Sequence, residues 1–165
     1  MKNLVLILSA ALGLLALGAA TAQGGARAVA CKSGNISYQG VRARTYCGTA
    51  SAVVKVGGRT LKYRGGSCTR TAVATELGIG TLILDSKQPK TLPRSFGISV
   101  GRIFGVGKAA PRDGTYPSAT LVFVDNGQQY ASSTAAATLQ GGRTRGSFTG
   151  RLFTGETFSG AFRCS

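Results

Sequence analysis

The chain contains no histidine and no tryptophan, and only five of its 165 residues are acidic. Without histidine, the Ser-His-acid and Cys-His arrangements of nucleophilic catalysis and the histidine-bearing zinc sites cannot be built. The sequence also offers no calcium site, because hard cations need several oxygen ligands grouped together and there is no D-x-D cluster. The sequence therefore predicts no catalytic residue, no metal site and no cofactor.

The scarcity of carboxylates leaves one enzymatic alternative, a hydrolase with two carboxylates about 5 to 10 Å apart across a cleft. Four of the five acids are predicted at strand ends or in turns, where a solvated or turn-capping acid is the ordinary explanation. We therefore expect a protein that is not an enzyme and keep the hydrolase as the alternative. The five acids are Glu76, Asp85, Asp113, Asp125 and Glu156.

The first residues have the pattern of an export signal. Lys2 supplies the positive start, Leu4 to Leu17 is an apolar run broken only by small residues, and Ala20-Thr21-Ala22 is an A-x-A cleavage site. A membrane anchor is the competing interpretation, but the run is short for a bilayer span of about 20 residues and no second run follows. We predict a signal peptide over residues 1–22 and a single domain over residues 23–165, secreted or held at the cell envelope, without a transmembrane segment.

Four cysteines follow the predicted cleavage site. In an oxidising compartment, disulfides are the expected state of such cysteines. A zinc site is the rival, but no two cysteines stand in C-x-x-C spacing and histidine is absent. Three connectivities are open. We favour Cys31 with Cys47, which closes a local loop, and Cys68 with Cys164, which ties the end of the chain to its middle.

Positive charge is in large excess, with 20 lysines and arginines and a formal net charge of +15. Removal of Lys2 with the signal peptide leaves 19 basic residues against five acids, a charge of +14. Such a charge raises encounter rates with anionic partners, and we consider anionic cell-surface polymers and lipid headgroups. A merely solvated basic surface is the alternative.

Glycine is abundant, with 25 residues, and apolar positions alternate with a period of two, which indicates short strands joined by tight turns. Gly57-Gly58 predicts a two-residue hairpin turn between Ser51 to Val56 and Arg59 to Arg64, because glycine adopts the positive φ of that turn without steric cost. Counting from the turn makes one face apolar and the other mostly basic. The predicted pairs are Val54 with Leu61, Ala52 with Tyr63, Lys55 with Thr60 and Val53 with Lys62.

A second hairpin is marked by Asn126-Gly127, between strands over Thr120 to Asp125 and Gln128 to about Thr134. This register places Phe123 opposite Tyr130, which is a favourable aromatic cross-strand pair. The first of these strands is apolar on both faces over residues 121–124, so we expect it to be central in its sheet.

The tail also alternates, so that Phe148, Phe158, Phe162 and Cys164 share one face around a turn at Thr154 to Glu156. Thr81 to Leu84 and Gly97 to Phe104 are further strand candidates, while Thr71 to Leu77 would suit a short helix as well as a strand. Exposed connections are expected at residues 86–94 and 108–117.

These patterns predict an all-β fold. We expect a small antiparallel sandwich or barrel-like domain of about seven or eight short strands, with one short helix as an option.

Basic residues group on the first hairpin and in the tail, on the faces opposite the apolar ones. We interpret these faces as anion-binding surfaces. Single-stranded nucleic acid needs exposed aromatic side chains beside the charges, whereas Tyr63, Phe148 and Phe162 fall on the apolar faces, so no specific nucleic-acid recognition is expected. The predicted anion-binding residues are Lys55, Lys62, Arg64, Arg143, Arg145, Arg151 and Arg163.

Three motifs have counterparts in a known family: Gly65-Gly66-Ser67-Cys68-Thr69 after the hairpin, Lys87-Gln88-Pro89 in a Gly-rich middle, and the closing Phe162-Arg163-Cys164-Ser165. With these motifs, the chain from about Ala52 to Ser165 resembles the LpqH-type surface lipoprotein antigens of mycobacteria. The resemblance implies a Cys68–Cys164 disulfide and a non-enzymatic, envelope-associated surface or secreted protein. The lipidated N-terminal cysteine of that family has no recognisable counterpart here.

From the sequence we expect a non-enzymatic secreted or envelope-associated protein that contacts anionic polymers through a basic sheet face. Besides the hydrolase, a purely structural or antigen-like exported domain without a ligand is an alternative.

Overall fold

A computed structural model describes residues 31–102 and 105–164 of the chain. The predicted signal peptide lies outside the described residues and stays a prediction. The regular structure of the described residues consists of eleven strands and no helix. The strands are β1 (Gly34–Tyr38), β2 (Val41–Tyr46), β3 (Ala50–Val56), β4 (Arg59–Arg70), β5 (Ala74–Ile83), β6 (Ser95–Gly101), β7 (Gly114–Tyr116), β8 (Ala119–Asp125), β9 (Gln128–Gln140), β10 (Arg145–Leu152) and β11 (Thr157–Arg163).

Eight of the strands close into an antiparallel barrel, so the all-β prediction is confirmed and the barrel is the form adopted. The order around the barrel is β3, β4, β5, β6, β8, β9, β10 and β11, and β11 pairs with β3 to complete the ring. The long strands β4 and β9 change partners along their length, next to bulges at Gly65 and Ser133. An extra residue in one strand increases its twist and bend, which helps the sheet to close.

Both predicted hairpins are confirmed with their registers. All four predicted pairs of the first hairpin form, and Gly57 and Gly58 have φ angles of 54° and 72°. In the second hairpin, Phe123 faces Tyr130 and the two rings stack with centroids 4.8 Å apart. The shared apolar face of the tail is confirmed as well, since all four of its predicted side chains are buried.

Side chains fill the interior of the barrel. Phe96 and Phe123 are completely buried, and the Phe96 ring packs between Tyr63 and Phe148 with centroid distances of 5.5 and 5.8 Å. An eight-stranded barrel is just wide enough for its own side chains to fill it. A ligand site is therefore expected on the outer surface of the barrel.

The β10–β11 hairpin lines the interior with cross-strand pairs of phenylalanine and glycine. Each ring lies over the glycine that faces it, and a Cβ atom at any of these glycines would collide with the ring. The glycines are therefore required for space, which is how aromatic side chains cover glycine in a sheet. The pairs are Gly146 with Phe162, Phe148 with Gly160, and Gly150 with Phe158.

Both favoured disulfides are present, and Cα–Cα distances are 5.7 Å for Cys31–Cys47 and for Cys68–Cys164. Such bonds indicate a protein that folds in an oxidising environment. Over residues 31–102 and 105–164, we find no helix with the length and apolar character needed to cross a bilayer.

Several sequence-based expectations need correction. The alternative of a short helix over residues 71–77 is wrong, because Ala74–Ile83 is a strand hydrogen bonded to both β4 and β6. The predicted strand over residues 97–104 is β6, which ends at Gly101, and residues 103 and 104 lie outside the described part. The connection over residues 108–117 contains β7, which pairs with β9. Strands β1 and β2 were not predicted, although Gln39-Gly40 between them has the φ angles of a hairpin turn, 51° and 79°.

Candidate anion-binding face

Six of the seven predicted anion-binding residues lie on one continuous outer surface of the barrel, formed by β4, β3, β11 and β10 in that order. Their side chains are exposed and alternate along each strand with buried interior side chains. We call this surface the basic face. Its basic residues are Lys55, Lys62, Arg64, Arg145, Arg151 and Arg163.

The pairing of β3 with β11 joins the two predicted basic hairpins into one surface. Ser51 on β3 faces Arg64 on one side and Arg163 on the other. Arg163 in turn faces Arg145 on β10. Neighbouring strands are about 5 Å apart, so these three arginines form a short row across four strands.

Arg145 and Arg163 stand directly opposite each other, and like charges in such positions destabilise a sheet. None of the four strands of the basic face contains an acidic residue. The ion pairs found among the described residues involve Arg42, Arg59 and Arg94 instead. The fold therefore keeps the repulsion between Arg145 and Arg163, although no acidic residue on these strands offsets it. An unfavourable local arrangement of this kind is typical of a functional site.

A shallow groove of about 340 Å³ lies beside two arginines of this row, Arg145 and Arg163. Its other polar lining residues are Ser51, Ser147 and Gln140. Guanidinium forks match the oxygen atoms of phosphate and sulfate in pairs, and hydroxyl groups add further donors. The residue types of the groove therefore suit an anionic phosphate or sulfate group.

Arg143 is the predicted residue that the structure does not bring to the basic face. It lies in the β9–β10 turn with a φ of 63°, one turn residue short of the start of β10 at Arg145. Its Nη1 donates to the carbonyl oxygens of Thr71, Ala74 and Ala110 at 2.6, 3.3 and 3.2 Å. The strand alternation used for the prediction does not extend into the turn, and Arg143 ties this end of the barrel together.

One exposed aromatic side chain was missed by the sequence analysis. Phe153, in the β10–β11 turn two residues after Arg151, is 78% exposed. The alternation of β10 makes the position after buried Leu152 an outward one, so an aromatic residue there is the signal that could have identified it. A platform for single strands needs several aromatic side chains beside the charges, whereas Tyr63 and the other phenylalanines named above are buried as predicted.

The acidic residues differ in their surroundings, although Asp125 and Glu156 both interact electrostatically with Arg59. Asp113 accepts hydrogen bonds from the backbone N–H groups of Gly142 and Arg143, the turn role expected of it. The backbone N–H of Arg42 donates to Asp85 and lowers the pKa of that carboxyl group. Within the described ranges, no cluster of three or more Cys, Asp and Glu side chains could hold a metal ion. The other acids are Glu76 on β5, Asp125 at the end of β8 and Glu156 in the β10–β11 turn.

No protein-family model matches the chain, and no curated protein matches it. Among solved structures, the chain is similar to a redesigned beta barrel. The two are 16% identical with a TM-score of 0.42, and the match covers 73% of this chain and 91% of the designed one. The resemblance to LpqH-type antigens is not tested by these comparisons and stays a prediction.

A second charged cluster consists of Asp125, Arg59 and Arg94, at the end of the barrel near the Gly57-Gly58 turn. Its buried carboxylate lies 3.4 Å from Nη1 of Arg59 and 3.5 Å from Nε of Arg94. The Arg94 guanidinium also stacks on the ring of Tyr63, 4.7 Å from its centroid. Because these arginines have a carboxylate partner, the cluster is a structural ion pair and differs from the basic face.

The hydroxyl group of Tyr63 should ionise only in strong alkali. Burial, helped by the charge of Asp125, raises its pKa from 10.0 to about 12. Because the unfolded chain loses this proton first, the stability that Tyr63 contributes is complete below pH 10 and falls as the pH rises from 10 to about 12. Titration followed by tyrosinate absorbance should show a late step, the ionisation of one tyrosine near pH 12, and Tyr63→Phe should remove this step. Burial also raises the pKa of Tyr46, so the variant is needed for the assignment.

Tyr38→Phe, in the β1–β2 hairpin, is the matched control and should leave the step near pH 12 in place. A late step that survives in Tyr63→Phe would show that another tyrosine carries it.

Proposed function

We propose that the protein is exported and binds anionic polymers at or outside the cell envelope through the basic face, without catalysing a reaction. The facing pair of Arg145 and Arg163, on strands that contain no acidic residue, carries the proposal. The two disulfides support export, because such bonds persist in oxidising compartments. The predicted resemblance to LpqH-type antigens agrees with this location.

The size of the basic face favours a polymer over a small anion. Arg151 lies on the same strand and face as Arg145, and at about 3.3 Å per residue the two positions are about 20 Å apart. On β4, Lys62 is the outward residue next to Arg64, one outward position closer to the Gly57-Gly58 turn. Lys55 on β3 lies still closer to that turn. A chain of repeated phosphate or sulfate groups can contact several of these cations at once, which adds affinity by multivalency.

The replacement of Arg145 and Arg163 by glutamine should weaken binding of heparin, used as a model sulfated polymer, by about tenfold at low salt. Each charge-assisted contact contributes up to about 1 kcal/mol at an exposed site, so two contacts account for roughly tenfold. The wild-type affinity should fall steeply as NaCl increases, since counterions compete for the same charges, and the slope of log K against log salt should be about two units shallower in the variant. Fluorescence anisotropy of labelled heparin between 20 mM and 200 mM NaCl measures both quantities.

Lys87→Gln combined with Lys90→Gln is the matched control, because it removes two charges from the exposed β5–β6 connection and leaves the basic face unchanged. It should weaken binding less than twofold. Equal losses in both variants would show that net charge, and not the basic face, determines binding. An absence of wild-type binding at low salt would favour the structural or antigen-like alternative.

A further inference from the structure

An apolar cleft lies outside the barrel, on the side away from the basic face. One wall is the outer surface of β6 and β8, and the other is the segment in which β5 leaves the barrel and pairs with β2. The cleft has a volume of about 660 Å³, within the range of roughly 300 to 1,000 Å³ that is usual for small-molecule sites. Its apolar lining includes Leu82, Ile83, Leu84, Val106, Val122 and Val124.

Glycine positions explain how β5 can fold back over the barrel. Gly80 has a φ of 74°, and beyond it the strand pairs with β2 instead of β6. The Leu82 side chain then lies over Gly97, where a Cβ atom would be only 2.9 Å from Leu82 Cδ1. The Tyr46 ring covers Gly78 in the same way. These close contacts hold the outer segment against the barrel, with the cleft beside them.

The lining of the cleft differs in chemistry from the rest of the surface. No charged side chain is among the described lining residues, although the chain has 20 lysines and arginines. Leu84 and Val106, 51% and 76% exposed, are two of the five large hydrophobic residues that are exposed in the described part, and both face this cleft. Exposed apolar side chains that converge on one concave site mark a binding site for an apolar group.

Positive charge is present beside the cleft. Gly107 lines the cleft, and its carbonyl oxygen lies 3.5 Å from Nε of exposed Arg102. Lys108, the next residue, lines a separate pocket with Pro111 and Arg112. A ligand with an apolar body and a single anionic end would therefore place its charge beside Arg102, while its body displaces water from the apolar walls.

We propose that this cleft binds a long-chain fatty acid. The acyl chain lies along Leu82, Leu84, Val106 and Val122, and the carboxylate contacts Arg102. The site is separate from the basic face and gives the protein a second ligand class.

Displacement of the fluorescent fatty acid cis-parinaric acid by palmitate, with the purified full chain, tests the proposal. Saturable, stoichiometric binding is expected for the wild type. Leu84→Gln combined with Val106→Gln should weaken palmitate binding by about tenfold or more, because two contact surfaces of the acyl chain become polar. Both positions are exposed, so the variant should keep its thermal stability, and this is measured alongside.

Ile36→Gln combined with Phe153→Gln is the matched control, since it makes the same kind of change at exposed apolar residues away from the cleft. It should change palmitate affinity less than twofold, as should Arg145→Gln combined with Arg163→Gln. Arg102→Gln should weaken palmitate binding about threefold and leave the binding of hexadecanol, which lacks the carboxylate, unchanged.

The proposal is overturned if the wild type shows no saturable binding, or if the cleft variant and its control lose affinity equally. Concentration-dependent dimers that the cleft variant abolishes, without any palmitate binding, would also overturn it and assign the cleft to contact between copies of the chain.

Discussion

Replacement of Cys68 and Cys164 by alanine should lower the free energy of unfolding by about 4 to 5 kcal/mol, which corresponds to a fall in Tm of roughly 10 °C or more. The bond spans 96 positions of the chain and joins β4 to the end of the chain after β11. Its removal frees a very long loop in the unfolded chain, and the entropy gained there favours unfolding. Urea unfolding of the oxidised wild type and the variant, followed by circular dichroism, measures the difference.

The Cys31–Cys47 disulfide is the matched control, because it spans only 16 positions. Its double alanine variant should lose at most about 3 kcal/mol. The loss can be smaller still, since β1 and β2 lie outside the eight-stranded ring and can detach while the barrel stays folded. Equal losses from the two disulfides would contradict the argument from loop length.

Gly160→Val should destabilise the barrel by about 3 kcal/mol or more. A side chain at this position meets the Phe148 ring and the carbonyl oxygen of Val53, and neither can move without disturbing β10 or β3. Well-packed interiors tolerate added volume poorly, because the displaced groups are forced out of their preferred geometry. Urea unfolding of the variant gives the loss.

Ala161→Val is the control for the glycine substitution, because the neighbouring side chain is exposed on the outer face of the same strand. It should change the free energy of unfolding by less than about 0.5 kcal/mol. Phe148→Ala should cost about 3 to 5 kcal/mol alone, but combined with Gly160→Val it should cost clearly less than the sum, because the valine occupies space left by the ring. Strict additivity would show that the Phe148–Gly160 contact is not the cause.

The hairpins were predictable because their signals are local. Gly57-Gly58 and Asn126-Gly127 specify turns, and alternation along the flanking residues specifies the register, so no distant contact is needed. The Gln39-Gly40 turn carries a signal of the same kind and could have been found. Residues 71–77 were ambiguous because their pattern suits two structures, and pairing with β4 and β6 selects the strand.

The candidate sites show the same distinction. The outward direction of the six basic side chains of the basic face follows from alternation, whereas Arg143 was predicted with them and lies off the face, because a turn has no such period. The apolar character of both faces at residues 121–124 predicted a central strand, and β8 does lie between β6 and β9. The sequence did not indicate that the outward-facing Val122 and Val124 line a cleft.

The order of residues along the chain is sufficient to specify an all-β protein with excess positive charge, its two main hairpins and the faces they present, because each of these features depends on neighbours a few positions apart. The meeting of Arg163 with Ser51 and Arg145, and the folding of β5 over the outside of the barrel, depend on segments far apart in the chain. Such contacts form only when the whole barrel closes, since closure, register and packing are satisfied together.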